Sequence, residues 1–286
     1  MPIPHELKVI KRNVPTILYQ HKDSAKTLIN HGIAIAKKYK DDTTNALLLN
    51  QKGIFHFLNA EYGLASSSFD SAITINEEYQ VWDRLIDNLN NKGYIYRVVG
   101  NYKVALSHFQ MASKISDSLN LYHKQPITLT NLGILHRLMG NYYTAIDNFE
   151  KAARIAIKEG QGVELANIYH NLGETYADKK EYENAIFYFD KVVQLSDNSS
   201  IPFDPTNTYS KMADVMKRQG RVDAAIFYNE KVLKLTKEKG LKVGEIQSLI
   251  QLGKCHLAKN NLNKAENYLV EGIFEATALQ RMDVID

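Results

Sequence analysis

The sequence has little cysteine, little net charge and no long hydrophobic run. Its single cysteine, Cys255, excludes a framework of disulfide bonds and fits a reducing compartment. A formal net charge of +3 is too weak to indicate a nucleic-acid partner or an acidic membrane surface. No apolar run approaches the length of a membrane span, and the first residues lack the features of a signal peptide. These absences favour a cytoplasmic protein that binds neither nucleic acid nor membrane.

What the sequence does contain is a pattern that recurs six times at a constant spacing, the spacing between Gly53 and Gly93. Each copy has a small residue at one position, an alanine further along and, in four copies, a phenylalanine one helical turn after the alanine. The small residues are Gly53, Gly93, Gly133, Gly173, Ala213 and Gly253. The alanines are Ala65, Ala105, Ala145, Ala185, Ala225 and Ala265, and the following position holds Phe69, Phe109, Phe149, Phe189, Asn229 and Leu269. Such a period indicates a repeat architecture, in which each unit packs on its neighbours.

One copy, residues 129–157, shows what the unit is. Apolar residues recur at helical spacing up to Met139, and Gly140-Asn141 then favours a helix stop because both tolerate a left-handed backbone. A second amphipathic stretch begins at Tyr142. Two helices joined by so short a turn lie antiparallel. The small residue and the alanine permit close approach within the pair, and the phenylalanine fills the gap to the next pair.

Two places depart from the pattern. Pro15 is expected to break the first helix of a degenerate N-terminal unit, which would make that unit an atypical cap. Residues 197–205 have the composition of a turn, and we interpret them as a loop between shortened helices that is the best candidate hinge.

The pattern resembles the tetratricopeptide repeat, in which a large residue, Leu, Gly and Tyr are followed by Ala, Phe and Ala. The fourth copy matches most fully, with Tyr169, Leu172, Gly173, Tyr176, Ala185 and Phe189. The period is longer than the usual 34 residues, and the proline that normally ends the second helix is missing, so the additional residues should lengthen the helix ends and their connection. This extended form is similar to the repeats of kinesin light chains, Pins/LGN adaptors, Rap-type regulators and sensory arrays of bacterial regulators.

Together the period and the resemblance predict an all-α fold, a right-handed superhelical solenoid of antiparallel helix pairs that spans residues 1–286. A degenerate unit covers residues 5–42. The six repeats cover residues 43–80, 81–122, 123–160, 161–200, 201–240 and 241–280, and residues 281–286 begin a further, truncated repeat.

In the families that the sequence resembles, the first helix of each repeat lines a concave groove that holds an extended peptide or a partner helix. One polar position of this helix recurs as Asn91, Asn131 and Asn171, with Gln51, Lys211 and Gln251 as equivalents. Because an amide both donates and accepts hydrogen bonds, such a ladder can pair with a peptide backbone. The alternative interpretation is that these asparagines cap or space adjacent helices.

The positions beside this ladder change chemistry along the chain. Phe57 and Tyr94 offer apolar surface, whereas Arg97, Arg137 and His170 can pair with a carboxylate or phosphate. The later repeats bring the charged residues Glu174, Asp178, Lys217 and Arg218. A ligand that is apolar at one end and acidic at its middle would suit this order. The alternative is a solvated helix face whose charges have no ligand.

Three histidines, His56, His136 and His256, suggest a metal site until their register is compared. All three occupy one repeat position and therefore lie on separate helix pairs, where we expect them to pack against the partner helix. The sequence also lacks a glycine-rich phosphate loop, a His-Glu-x-x-His motif and a nucleophile elbow. We predict no catalytic residue, no cofactor and no metal, and therefore no enzyme.

Two functions remain. The first is a protein-protein interaction scaffold that binds a peptide or partner helix in its groove. The second is a sensory or dimerisation module of a bacterial signalling regulator, a histidine kinase or transcription factor, whose output domain lies outside this sequence. The second is favoured by the end of the sequence at Asp286 without a polar capping helix, which suggests truncation or a homodimer formed through that end.

Overall fold

The structure is a computed structural model, and it describes residues 4–197 and 201–282. Within these residues the chain is all α-helical, as predicted, with short turns and one 3₁₀ turn at Tyr122–Lys124. The α-helices are α1 His5–Gln20, α2 Lys22–Tyr39, α3 Asp42–Leu58, α4 Tyr62–Glu78, α5 Trp82–Val98, α6 Tyr102–Ser118, α7 Gln125–Leu138, α8 Tyr142–Lys158, α9 Gly162–Asp178, α10 Tyr182–Asp197, α11 Thr206–Arg218, α12 Val222–Glu238, α13 Lys242–Ala258 and α14 Leu262–Met282.

The chain divides into two compact units, unit 1 (Met1–Ile155) and unit 2 (Ala156–Asp286), and each is described by itself. In unit 1, each helix from α1 to α6 packs against the helix that follows it, and in unit 2 the same holds from α9 to α13. The first helices of the repeats are α3, α5 and α7 in unit 1 and α9, α11 and α13 in unit 2. A single solenoid over residues 1–286 stays a prediction.

Each of the first two repeats consists of two 17-residue helices and two short connections. Both kinds of connection end the preceding helix in the same way. At the first, the Glu61 N–H donates to His56 O at 2.9 Å and the Ala60 N–H donates to Phe57 O at 2.9 Å, which is a Schellman motif. The central residue has a left-handed backbone in both kinds, with φ of 58° at Ala60 within a repeat and 54° at Gln80 between two repeats. The resemblance led us to expect lengthened helix ends and connections, and this stays a prediction.

The glycine and phenylalanine of the first four repeats form one packing unit in each. A Cβ added at Gly53, Gly93, Gly133 or Gly173 would lie 2.4–2.6 Å from Cε1 of the phenylalanine in the same repeat. Those phenylalanines are fully buried, and so are the repeat alanines Ala65, Ala105 and Ala185. The ring therefore occupies the volume that a side chain at the glycine position would need, because protein cores are close-packed.

Pro15 does not break the first helix, so this expectation was wrong. Helix α1 runs from His5 to Gln20 with Pro15 inside it. Pro15 lies on the exposed side, between the buried residues Val14 and Leu18. The buried side of the helix therefore stays packed, and the carbonyl left without a donor belongs to the exposed residue Lys11.

The predicted loop at 197–205 lies between α10 and α11. Both helices are shortened, as expected, since α10 has 16 residues and α11 has 13. Residues 198–200 lie outside the described residues, as do 283–286, where most of the truncated repeat was placed. Whether the loop is a hinge stays a prediction.

Candidate functional site

The first helices of unit 1 carry six of the twelve predicted site residues. These are Phe57 on α3, Asn91, Tyr94 and Arg97 on α5, and Asn131 and Arg137 on α7. All six are at least partly exposed. The other six lie in unit 2, with His170, Asn171, Glu174 and Asp178 on α9 and Lys217 and Arg218 on α11.

An aromatic cleft of about 260 Å³ opens on the surface of unit 1. Its lining residues are Tyr19, Ile54, Phe57, Leu58, Phe69, Asn91 and Tyr94. The rings of Phe57 and Tyr94 meet edge to face, with centroids 5.1 Å apart, and Phe57 also contacts Tyr62 at 5.7 Å. The cleft is therefore bordered by aromatic rings that contact one another.

The Arg97 guanidinium stands at the edge of this cleft. Its carbon Cζ lies 4.5 Å from the centre of the Tyr94 ring, a cation–π contact. Its Nε is buried and has no hydrogen-bond partner among the described residues. Burial lowers the pKa of Arg97, and the nearby Arg137 charge adds to this, but an arginine remains charged at neutral pH. The arrangement places a partly desolvated cation beside an apolar surface.

The asparagines of unit 1 bind the neighbouring repeat as well as facing outward. The Asn91 amide donates to Asn50 Oδ1 at 2.9 Å, and Asn88 donates to the same oxygen at 2.8 Å. One repeat later, Asn131 donates to Asn90 Oδ1 at 3.3 Å, and Asn90 donates to Thr128 Oγ1 at 2.9 Å. We call these contacts the inter-repeat hydrogen bonds. They give the ladder a structural role and leave each amide with further donor and acceptor capacity.

The same contact recurs in unit 2 with a histidine. His170 Nδ1 lies 2.9 Å from Thr208 Oγ1, and the Asn207 amide donates to His170 Nε2 at 3.4 Å. Asn171 instead donates to the backbone oxygen of Asn167 in its own helix, at 2.8 Å.

The charged residues of unit 2 differ in their exposure and pairing. Glu174 accepts a salt bridge from Lys211, with 2.7 Å between Nζ and Oε1. Asp178, Lys217 and Arg218 are exposed near the ends of their helices.

Of the histidines at the shared repeat position, His256 contacts the second helix of its repeat, as predicted. His56 and His256 are buried. His56 Nδ1 lies 2.5 Å from Glu61 Oε2, and the His256 ring stacks on Tyr268 with centroids 5.5 Å apart. His136 is half-buried, and burial lowers its pKa. Among the described residues, no group of three or more His, Cys, Asp or Glu side chains is placed to hold a metal ion.

The sequence analysis did not identify the residues that form hydrogen bonds between the first helices of neighbouring repeats. Asn50, Asn88, Asn90, Thr128 and Thr208 carry the inter-repeat hydrogen bonds. A signal was present, because these polar residues recur at separations of 38 residues along the first helices of the repeats.

Comparisons with known proteins agree with this fold. Residues 124–198 match the family model described as tetratricopeptide repeat. The curated proteins contain no match to the chain. None of the helices in residues 4–197 and 201–282 is long and apolar enough to cross a membrane.

Three solved structures resemble most of the chain. RapI is 15% identical with a TM-score of 0.67, and the match covers 96% of this chain and 99% of RapI. Aspartyl phosphate phosphatase F from Bacillus subtilis is 17% identical with a TM-score of 0.69, covering 95% of this chain and 70% of that one. A signal transduction ATPase with a tetratricopeptide repeat sensor, from Pyrococcus horikoshii, is 16% identical with a TM-score of 0.71, covering 95% and 41%. Identities this low show the fold alone, and the predicted tetratricopeptide repeat architecture is confirmed.

Proposed function

We propose that this tetratricopeptide-repeat chain is a cytoplasmic, non-catalytic interaction module that binds an extended peptide or partner helix on its first helices. In unit 1 the preferred ligand carries an apolar side chain next to a carboxylate. The apolar side chain enters the aromatic cleft, and the carboxylate pairs with Arg97. The single observation that carries this proposal is the preformed cleft with the partly buried Arg97 cation at its edge.

The energies favour the cleft over the amides as the source of affinity. Burying one large apolar side chain contributes about 1.5–3 kcal/mol, and a hydrogen bond to a charged group contributes about 1.5–3 kcal/mol. Each neutral amide adds only about 1 kcal/mol, and Asn91 already spends one donor on Asn50. We therefore assign affinity to the cleft and Arg97. The ladder would fix the direction and register of the peptide backbone.

Peptide display on the purified chain tests this proposal. The wild type should enrich sequences in which an acidic residue follows a large apolar one. Tyr94→Ala should lose the apolar preference, and Arg97→Glu should lose or reverse the acidic one. The matched control is Arg154→Glu on α8, which changes an exposed arginine on a second helix.

Enrichment of such sequences that survives both Tyr94→Ala and Arg97→Glu would place binding elsewhere on the chain. Circular dichroism melts of all variants show whether a lost preference is only a loss of folding.

The alternative is that the chain is the sensory or dimerisation part of a signalling regulator. Helix α14 carries the exposed residues Val270 (58%), Ile273 (67%) and Phe274 (71%). In the five preceding repeats the positions of Val270 and Phe274 hold polar residues. These are Asp70, Gln110, Glu150, Asp190 and Glu230 at the first, and Thr74, Lys114, Arg154, Gln194 and Lys234 at the second. The apolar surface is thus wider than the face used for stacking repeats, and we propose that a second copy of the chain covers it.

Sedimentation velocity of the wild type and of V270E/F274K tests this alternative. The double variant installs the residues that the fifth repeat has at these positions. The proposal predicts a wild-type dimer and a monomeric variant. A wild-type monomer at high concentration, or a dimer that the variant retains, would reject it.

A further inference from the structure

The fifth repeat departs from the others at the two positions that fill the core of the helix pair. Ala213 replaces the glycine, and Asn229 replaces the phenylalanine. The two changes belong together, because a Cβ at the glycine position lies within 2.6 Å of the ring in the four repeats that have a phenylalanine. Asn229 is buried but much smaller than a phenylalanine, so the space of the ring is only partly filled.

The inter-repeat hydrogen bonds also change between α11 and α13. Ser210 and Ser248 hold the positions that Asn50 and Asn88 occupy in the first two repeats. Each serine hydroxyl donates into its own helix, Ser210 to Thr206 O at 3.3 Å and Ser248 to Gly244 O at 2.8 Å. Neither hydroxyl therefore donates to the neighbouring repeat.

A cavity of about 860 Å³ lies between α11, α12 and α13, where these contacts are replaced. It is larger than the aromatic cleft of unit 1 and, unlike that cleft, has no aromatic lining residue. Polar side chains of its lining are Asp204, Thr206, Asn207, Ser210, Asp214, Asn229, Thr236, Lys242, Gln247, Ser248 and Gln251.

Several of these side chains have already used their donors. The Asn229 amide donates to Ala225 O at 2.9 Å and to Cys255 Sγ at 3.9 Å, and the Thr236 hydroxyl donates to Val232 O at 2.9 Å. The hydroxyls of Ser210 and Ser248 do the same in their helices. What these four groups still offer is oxygen, which accepts hydrogen bonds.

The charged side chains of the lining are Asp204, Asp214 and Lys242, so its formal charge is negative. Lys242 Nζ lies 2.8 Å from Glu275 Oε2 and 3.2 Å from Glu245 Oε2, so its charge is compensated. Asp204 is paired with Lys239 at 2.6 Å. The exposed Asp214 carboxylate has no salt-bridge partner within 4.0 Å among the described residues, although Lys217 and Arg218 follow it on α11. The lining therefore offers several acceptors beside the amide donors of Gln247 and Gln251.

We propose that this cavity binds a primary alkylammonium group, with Asp214 as its counter-ion and the oxygens of Ser210, Asn229 and Ser248 as acceptors. An ammonium has three donors and no acceptor, which matches a site that offers oxygens. The group is either a free alkylamine or the lysine of a bound peptide. The second source rests on the proposed peptide-binding function, and the first does not.

Nuclear magnetic resonance titration with n-butylammonium chloride tests the site directly, with n-butanol as the neutral ligand of the same length. The ammonium should give saturable shifts of the backbone amides of Ser210, Asn229 and Ser248, and the alcohol should not. Asp214→Asn should weaken binding about tenfold or more, because a hydrogen bond to a charged group is lost. The matched control Glu266→Gln, an exposed carboxylate on α14, should leave it unchanged.

A second variant fills the cavity without relying on charge. A213G/N229F installs the glycine and phenylalanine of the first four repeats, which pack together there, and should abolish the shifts. The absence of saturable shifts in the wild type, an equal response to butanol, or binding that persists in both variants would overturn the proposal.

Two peptides separate the sources of the ammonium, acetyl-Gly-Lys-Gly-amide and its glutamine counterpart. Tighter binding of the lysine peptide than of butylammonium assigns the site to a peptide side chain. Equal binding assigns it to a free amine. Failure of butylammonium to bind while displayed peptides still bind unit 1 would reject this inference and leave the proposed function standing.

Discussion

Gly93→Ala is expected to destabilise the chain by about 2 kcal/mol. The new Cβ would lie 2.5 Å from Cε1 of Phe109 and 2.8 Å from its Cδ1, whereas carbon atoms in contact are ordinarily about 3.5–4.0 Å apart. Phe109 is fully buried, so its ring can move only into packed surroundings. Overpacking of this kind costs about 3 kcal/mol at the upper end of its usual range. The higher helix propensity of alanine returns about 1 kcal/mol.

Gly63→Ala is the matched control. Gly63 lies in α4, is exposed, and a Cβ added there meets no atom within 4 Å. The propensity gain then has no opposing clash, and we expect stabilisation of up to about 1 kcal/mol. The same substitution therefore has opposite signs at two helical glycines.

The clash is tested by pairing Gly93→Ala with Phe109→Leu. The sixth repeat combines Gly253 with Leu269, and the fifth combines Ala213 with Asn229, so no repeat has both an alanine and a phenylalanine at these two positions. Phe109→Leu alone should cost about 1–2 kcal/mol through the cavity that it leaves. The double variant should lose less than the sum, because the methyl group enters this cavity.

Urea unfolding followed by circular dichroism measures these effects. Midpoints should be compared between variants, because repeat arrays often depart from two-state unfolding. A midpoint for Gly93→Ala at or above that of the wild type, or full additivity in the double variant, would refute the packing argument.

Three further predictions concern the turns, the ladder and pH. Ala60→Gly and Lys180→Gly should each stabilise the chain by about 0.5–1 kcal/mol in urea unfolding. Both residues have a left-handed backbone, which strains a residue that carries a Cβ. Gly100→Ala should destabilise the chain by a similar amount for the same reason. Asn131→Ala should cost about 1 kcal/mol in urea unfolding, because its hydrogen bond to Asn90 is lost. Asn171→Ala loses only a hydrogen bond within its own helix and should change the urea midpoint little. Equal losses of stability in the two variants would contradict this prediction. Burial lowers the pKa of His136, so as the pH falls the unfolded chain binds this proton before the folded chain does. The stability that neutral His136 contributes is therefore full above the ordinary histidine pKa of 6.5 and is lost as the pH drops below it. His136→Gln should make the melting temperature less dependent on pH, which thermal melts at several pH values measure.

The helix pairs could be predicted from the sequence because their determinants are local or periodic. Gly133 and Phe149 lie on the two helices of one pair, and the turn at Gly140-Asn141 fixes their approach. The same reasoning failed at Pro15, because a proline on the exposed side of a helix can be tolerated when the buried side stays packed.

The candidate site was only partly predictable. Phe57, Tyr94 and Arg97 were identified from their repeat positions, but their close approach in one cleft depends on how α3 and α5 pack. The inter-repeat hydrogen bonds of Asn91 and Asn131 depend on partners 41 residues away. A period shows that two residues are equivalent. It does not show which atoms of successive repeats come within hydrogen-bonding distance.

The sequence by itself determined the all-α repeat, the register of its helices and the glycine and phenylalanine that pack within each pair. These follow from helical periodicity and from the volume of single side chains. Only the tertiary structure decided that ladder asparagines also join repeats, that an arginine stands beside the aromatic cleft, and that Asn229 borders a polar cavity. Those features depend on the distance and the rotation between packed helices of different repeats. Small changes in side-chain volume at the contact alter both.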